Sequence, residues 1–168
     1  LKKKFSNNEI YRKNLPLNSS YRSLYSIAEK IRYELLGCKM LKGIEKNLHK
    51  NYNYLVSIKK KEQLKSKEDV SINEAFEMYM LKHFHNIQLN SLSTKMLSYW
   101  EKDFDQSIKE HLKFLKENLE DQNKYSSKFS EIFKNMDIFD TEENEEQKED
   151  NNDEGSENAS NENEDANT

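Results

Sequence analysis

Apolar residues at helical spacing are the feature that most limits how this chain can fold. In residues 21–48 they occur at positions i, i+3, i+4, i+7 and i+11, and they are Leu24, Ile27, Ala28, Ile31 and Leu35. An α-helix places residues at this spacing on one face, and that face is stable when other helices cover it. The segment therefore predicts a helix that belongs to a bundle.

Two glycines interrupt this segment. Gly37 follows the apolar stripe, where a helix often ends in a left-handed turn that glycine adopts at low cost, and Gly43 is a second place where two backbones could approach closely. Alternatively, the helix runs straight through both glycines, at about 1 kcal/mol each relative to alanine. The sequence leaves both alternatives open.

Further apolar stripes predict the rest of the bundle. Residues 41–55 predict a second helix or a continuation of the first, and Ser71 with Glu74 forms a capping-box pattern that starts a helix ending near Ile87. Residues 94–119 predict a longer helix with slack near Asp105, and residues 125–136 continue at a new phase. Because alternating strand patterns are almost lacking, we expect an all-α fold, a small bundle of four or five helices over residues 21–136.

The two ends of the chain differ from this middle part. Residues 1–20 are polar, include Pro16 and have no sustained period, so we expect a poorly ordered lead-in whose Ser19 or Ser20 caps the first helix. Residues 137–168 carry 14 acidic residues against one basic residue, Lys148, for a net charge of −13, whereas the 136 residues before them carry +9. This acidic tail has almost nothing to bury, and we expect it to be disordered.

The residues that could form a metal site or a catalytic site are explained by ordinary structural roles. His83 and His85 are two apart, so on a helix they point in different directions and cannot share a metal by themselves; we expect surface or rim histidines. Cys38 is expected to be a buried or half-buried thiol and not a nucleophile. Glu29 and Arg32 can pair on the helix surface for a few tenths of a kcal/mol. The sequence predicts no active site, no metal ligands and no bound cofactor.

Partners and compartment follow from charge and cysteine use. The single cysteine excludes an intrachain disulfide and favours a reducing compartment, so we expect a cytoplasmic protein. No segment has the apolar run that crosses a membrane, and the first residues lack the apolar core of a secretory signal. The acidic tail would compete with nucleic acid for the basic half, so neither nucleic acid nor a membrane is expected as a partner.

A set of spaced residues carries a resemblance to a known family. The first helix and its continuation hold Arg32, Glu34, Gly37, Gly43 and Asn47. Later in the chain follow Trp100, the pair Asp121 and Gln122, and Met136 with Asp137 before the acidic tail. In their order these resemble the CobT subunit of aerobic cobaltochelatase, which reads approximately R-x-E-x-x-G, then G, then N-L.

The resemblance implies a non-catalytic subunit of an ATP-dependent cobaltochelatase, which inserts cobalt into a corrin precursor in cobalamin biosynthesis. The chain would be a fragment: the later part of the CobT N-terminal region and its acidic linker, without the von Willebrand A domain. It would dock to an AAA+ ATPase subunit of the CobS type, beside a large tetrapyrrole-binding subunit of the CobN type. ATP, magnesium and cobalt would be handled by those partners or by the missing domain.

The sequence leaves two questions open. The residues Arg32, Glu34, Gly37, Gly43 and Asn47 are predicted to be either partner-binding or structural, acting through a partner subunit or through an interhelix hydrogen bond. The alternative function is a free-standing helical protein-interaction adaptor whose acidic tail aids solubility.

Overall fold

The computed structural model describes residues 1–57 and 65–139. In these two stretches every regular element is a helix and no strand occurs. In chain order the helices are α1 (Lys2–Phe5), α2 (Asn8–Lys13), α3 (Arg22–Met40), α4 (Lys42–Ser57), α5 (Ile72–Phe84), α6 (Ser91–Ser98), α7 (Glu101–Ile108), α8 (Leu112–Glu117) and α9 (Gln122–Asn135), with 3-10 turns at Ser19–Tyr21, Lys67–Asp69 and Lys109–His111. The predicted all-α class is confirmed.

The chain divides into two units, Leu1–Met136 and Asp137–Thr168. The first unit is the helical body. In the second unit only residues 137–139 are described, so the predicted disorder of the acidic tail lies outside the described residues.

Helix α3 lies at the centre of the body and packs against α1, α4, α5 and α9. Its predicted stripe is mostly internal, since Leu24, Ala28 and Ile31 are at most 1% exposed, whereas Ile27 and Leu35 are half-buried. The stripe therefore supplies the face that the bundle covers.

An aromatic cluster joins α5, α7 and α9. The ring of Phe76 lies 5.6, 6.4 and 6.0 Å, centroid to centroid, from the rings of Phe104, Phe129 and Phe133, and meets each ring nearly edge to face. This geometry is the one that aromatic quadrupoles favour. Four fully buried rings thus form the part of the core that fixes these three helices together.

The chain turns between the two glycines and not at either of them. Helix α3 continues through Gly37 to Met40, and Gly43 lies inside α4. The break falls at Leu41, whose backbone is extended at φ −137° and ψ 111°. No glycine in the described stretches has a positive φ. Both alternatives are therefore wrong: neither glycine ends a helix, and a single helix does not run through both, because the chain breaks at Leu41.

The long helix expected over residues 94–119 is divided into α6, α7 and α8. A straight helix of that length would extend about 39 Å. By turning near Trp100 and again at Lys109–His111, the chain keeps Leu97, Ile108 and Leu115 in the core, where each is at most 1% exposed. Apolar spacing of three or four residues is the same in consecutive short helices as in one long helix, which is why the pattern did not reveal the turns.

The N-terminal segment is ordered, so the prediction of a poorly ordered lead-in at residues 1–20 is wrong. Neither α1 nor α2 buries a residue. The segment is held by hydrogen bonds instead: Asn7 N donates to Gln122 Oε1 at 2.7 Å, Gln122 Nε2 donates to Asn7 O at 3.0 Å, and Tyr25 Oη donates to Tyr11 O at 2.8 Å. Apolar periodicity does not detect polar anchoring of this kind.

The ends of α5 also differ from the prediction. Ser71 lies at the N-cap, but its side chain makes no capping hydrogen bond, so the predicted capping box does not form. The helix ends at Phe84, three residues earlier than expected, because Asn86 adopts a left-handed φ of 53°. Ile87 N then donates to Leu81 O at 3.1 Å, so the chain folds back over the last turn of the helix.

Candidate functional site

Helix α3 carries a buried ion pair. Glu29 and Arg32 are 3% and 1% exposed. Arg32 Nη2 donates to Glu29 Oε1 at 2.8 Å, and Arg32 Nε lies 3.1 Å from both carboxylate oxygens. The three-residue spacing predicted the pair, but its placement on the helix surface is wrong, because α1 and the connection between α8 and α9 cover it.

The remaining donors of Arg32 reach backbone from two distant parts of the chain. Nη1 donates to Leu119 O at 2.9 Å, and Nη2 also donates to Phe5 O. Glu29 in turn accepts from Ser6 Oγ at 2.9 Å. A buried guanidinium is tolerated when its N–H groups are satisfied in this way. The pair therefore acts as an internal clamp that joins the N-terminal segment, α3 and the start of α9.

A cleft of about 680 Å³ borders this clamp. Its lining includes Lys3 and Lys4 as well as Glu120 and Asp121. The lining thus carries charges of both signs, and the only buried cation in it, Arg32, is already bonded within the body. This arrangement does not select a particular class of ligand.

A second buried cluster lies where α3, α4 and α5 meet. Glu34, Tyr52 and His85 are 4%, 2% and 4% exposed. Tyr52 Oη lies 2.8 and 2.6 Å from the two oxygens of Glu34, to which it donates. His85 Nε2 has no hydrogen bond and lies 3.8 Å from Glu34 Oε2. A bond from Tyr52 to Glu34 thus joins α4 to α3 in the interior.

Charged groups surround this cluster at its outer edge. Lys30 Nζ lies 3.9 Å from both Glu34 Oε1 and Glu77 Oε1, and it stands over the ring of Tyr52 at 5.6 Å from the centroid. The His49 ring meets the His85 ring edge to face, with 6.0 Å between centroids. A carboxyl group, a phenol and an imidazole thus lie together, and none of the three reaches the surface.

Burial sets the protonation of the cluster. It raises the pKa of Glu34, against the opposing hydrogen bond from Tyr52 and the nearby charge of Lys30. It also lowers the pKa of His85 to about 4, with smaller contributions from His49 and Lys30. The pKa of Tyr52 is raised, first by burial and then by its bond to Glu34. Each group is therefore biased towards its neutral form.

The five motif residues are separated by the fold. Arg32 and Glu34 lie in the two buried clusters and point to different sides of α3. Gly37 is buried, and a Cβ atom built there would lie 2.5 Å from Leu1 Cδ2, so its missing side chain makes room for the N-terminal segment. Gly43 and Asn47 are exposed on α4, and a Cβ at Gly43 would meet nothing within 4 Å.

Alanine substitutions should distinguish the two glycines. We expect Gly43→Ala to raise the free energy of unfolding by about 0.5 kcal/mol, because alanine has the higher helix propensity and nothing obstructs its methyl group. Gly37→Ala should gain less or lose stability, since the side chain of Leu1 must move. Urea unfolding of the two variants measures the difference, and an equal gain at both positions would show that Leu1 does not occupy this space in solution.

The other candidate residues form no site. In the stretches that the structure describes, no group of three or more His, Cys, Asp or Glu residues could hold a metal ion. Cys38 is half-buried as predicted, and burial raises the pKa of its thiol. His83 is half-buried, and its ring lies tilted against the ring of Tyr79 with 4.4 Å between ring centroids. The prediction of a surface or rim position is wrong for His85, because α4 covers it.

Sequence analysis missed the partners of the buried charges. Tyr52 was interpreted only as one apolar position of the α4 stripe, and its hydroxyl group was not paired with Glu34. Gln122 was noted for its place beside Asp121, whose side chain caps α9 by accepting from Lys124 N at 3.1 Å. A polar group within an apolar stripe is a signal that could have directed attention to Tyr52, whereas nothing local links Gln122 to Asn7.

Comparison with known proteins identifies the family. None of the described helices is long and apolar enough to span a membrane. No curated protein and no solved structure matches the chain. The family model described as cobalamin biosynthesis protein CobT matches residues 1–168, which is the whole chain. The chain therefore belongs to the CobT family of cobalamin biosynthesis proteins.

Proposed function

We propose that the helical body is a docking domain of a cobaltochelatase subunit. In this proposal it binds an AAA+ ATPase subunit of the CobS type, in a complex that also contains a large tetrapyrrole-binding subunit of the CobN type. Cobalt is the substrate of the complex, and the partner subunits handle ATP and magnesium. The observation that carries the proposal is the family match along the entire chain.

The hydrogen bonds of the buried polar groups support a structural role for Arg32 and Glu34. Arg32 directs its donors to Glu29, Phe5 O and Leu119 O, and Glu34 accepts from Tyr52. These contacts are internal, so they favour a body that is held rigid and presents its surface to a partner. Preorganised surfaces bind with a smaller loss of conformational entropy than flexible ones.

The exposed motif residues support a docking surface on α4. Gly43 and Asn47 are both exposed to solvent, and a Cβ atom built at Gly43 would meet nothing within 4 Å. Arg32 and Glu34 thus have internal contacts of their own, whereas Gly43 and Asn47 remain available to a partner.

Copurification tests the proposal. The full chain and a CobS-type ATPase from the same organism are mixed with ATP and Mg²⁺ and separated by size-exclusion chromatography with light scattering. We expect a joint peak whose mass exceeds that of the ATPase assembly alone, and binding should persist at about 0.15 M salt, where the Debye length is about 8 Å.

The control is an AAA+ ATPase from a pathway that does not involve tetrapyrroles, with which we expect no joint peak. Separate elution of the chain and the CobS-type subunit, with ATP or without it, would contradict docking. Equal binding to both ATPases would support the free-standing adaptor instead.

A further inference from the structure

Helix α4 has 16 residues, yet of its side chains that the structure describes only Tyr52 is buried. In water a helix of this length is marginal by itself and gains most of its stability by covering an apolar face. In the described part of the chain, α3 is the only element with which α4 packs extensively. Most of the surface of α4 is therefore available to another molecule.

One side of this surface is apolar. Ile44, Leu48 and Leu55 fall on one side of α4 when residues are placed about 100° apart around the axis. Leu55 is 39% exposed, and Ile44 and Leu48 are half-buried. Tyr52 beside them takes the position that faces the core. The three aliphatic residues form an uncovered shoulder, which we call the apolar side of α4.

The opposite side of α4 is basic. Lys42, Lys46 and Lys50 recur every four residues, are exposed, and form no ion pair with any residue that the structure describes. We call this row the lysine side of α4. Between the two sides lie Asn47 and Gly43, and Tyr54, which is 64% exposed. A small residue at this apex allows close approach by another backbone.

We propose that α4 lies in a groove of the ATPase partner that has one apolar wall and one acidic wall. An amphipathic helix in a groove is contacted on both flanks, so its apolar and charged sides each need a matching wall. A second copy of this chain does not match, because its residues 1–136 carry a net charge of +9 and its acidic residues 137–168 include only four apolar residues, too few for an apolar wall. This inference rests on the proposed docking function and assigns its surface.

Binding of purified CobS-type ATPase to the full chain tests the two walls separately. Ile44→Ala with Leu55→Ala removes two of the three aliphatic residues of the apolar side. Lys42→Glu, Lys46→Glu and Lys50→Glu together reverse the charge of the lysine side. We expect each set to weaken binding by about 10-fold or more, as losses at the centre of an interface do. The charge reversal should also flatten the dependence of affinity on salt.

Matched controls lie elsewhere on the body. Leu17→Ala with Phe114→Ala removes two other exposed apolar side chains, and Lys102→Glu, Lys109→Glu and Lys113→Glu make the same change in net charge. We expect these controls to bind within about 2-fold of the original chain, as substitutions outside an interface do. Circular dichroism and thermal unfolding of every variant report whether its fold is retained.

Photocrosslinking gives a readout that does not depend on a destabilising change. A benzoylphenylalanine at position 47 should crosslink to the ATPase, whereas the same residue at position 17 should not.

The outcomes separate the two proposals. If the original chain does not bind the ATPase, docking and the α4 surface are both wrong. If it binds, and the α4 variants bind as well as the controls, the α4 surface alone is wrong. A dimer of this chain that the α4 variants dissociate while ATPase binding is unchanged would likewise overturn the groove and assign α4 to a second copy.

Discussion

Replacing Arg32 with alanine is expected to lower the free energy of unfolding by about 3–5 kcal/mol, because removal of one partner leaves the other charge buried and unpaired. Glu29 is 3% exposed, so water does not readily replace the lost guanidinium. The carbonyl groups of Phe5 and Leu119 lose their donor in the same variant. Urea unfolding followed by circular dichroism measures the loss.

Two further variants assign the cause of that loss. Lys128→Ala breaks the more exposed pair with Glu131, which spans 3.1 Å, and should cost less than about 1 kcal/mol. Glu29→Leu combined with Arg32→Met removes both buried charges and should recover part of the stability. If Arg32→Ala costs no more than Lys128→Ala, the clamp does not hold the N-terminal segment as the structure indicates. Hydrogen exchange in residues 1–16 should increase in the Arg32→Ala variant.

The folded protein is expected to lose stability as the pH falls from about 6.5 to about 4, in part through His85. Burial lowers the pKa of His85 from 6.5 to about 4. Within that window the unfolded chain binds a proton at this imidazole and the folded chain does not, so acid favours unfolding. A lowering of about 2.5 pKa units corresponds to about 3 kcal/mol.

Protonation of Glu34 changes the stability of the fold in the opposite direction from protonation of His85. Its pKa is raised by burial, so the folded chain takes up this proton at a higher pH than the unfolded chain does, and that uptake stabilises the fold as the pH falls. The groups that face His85 are Glu34 and Tyr52 from inside, with His49 and Lys30 at the edge. Proton uptake by Glu34 should thus offset part of the loss that His85 causes.

Two variants separate the contributions of His85 and Glu34 to the pH dependence of stability. Between pH 6.5 and 4.5 the unfolding free energy of His85→Asn should fall less steeply than that of the original chain, and that of Glu34→Gln should fall more steeply. His111 lies at the surface beside Glu110, and His111→Asn serves as the matched control. Urea unfolding at a series of pH values gives the slopes. Parallel profiles for the original chain and His85→Asn would contradict a neutral, buried His85.

The site was predictable only in part. Arg32 and Glu34 stand out in the sequence because they belong to the pattern that resembles the CobT family, and an interhelix hydrogen bond is one of the two roles predicted for them. Their partners were not predictable, because Phe5, Leu119 and Tyr52 lie 27, 87 and 18 residues away along the chain. Contacts at such separations depend on how helices cross, and a local pattern carries no information about the crossing.

The sequence alone determined that the described part of the chain between residues 21 and 136 is helical, and which family the chain belongs to. Apolar residues three and four apart allow a helix in a bundle and no strand in a sheet, and this property is independent of the neighbours. Tertiary structure decided where the helices turn, which side of α3 is covered, and that two clusters of titratable groups are internal. The physical reason is that the burial of a side chain depends on which segments pack over it. Glu29 and Arg32 could form their ion pair on an isolated helix. The pair joins distant parts of the chain only because the segments that contain Phe5 and Leu119 cover it.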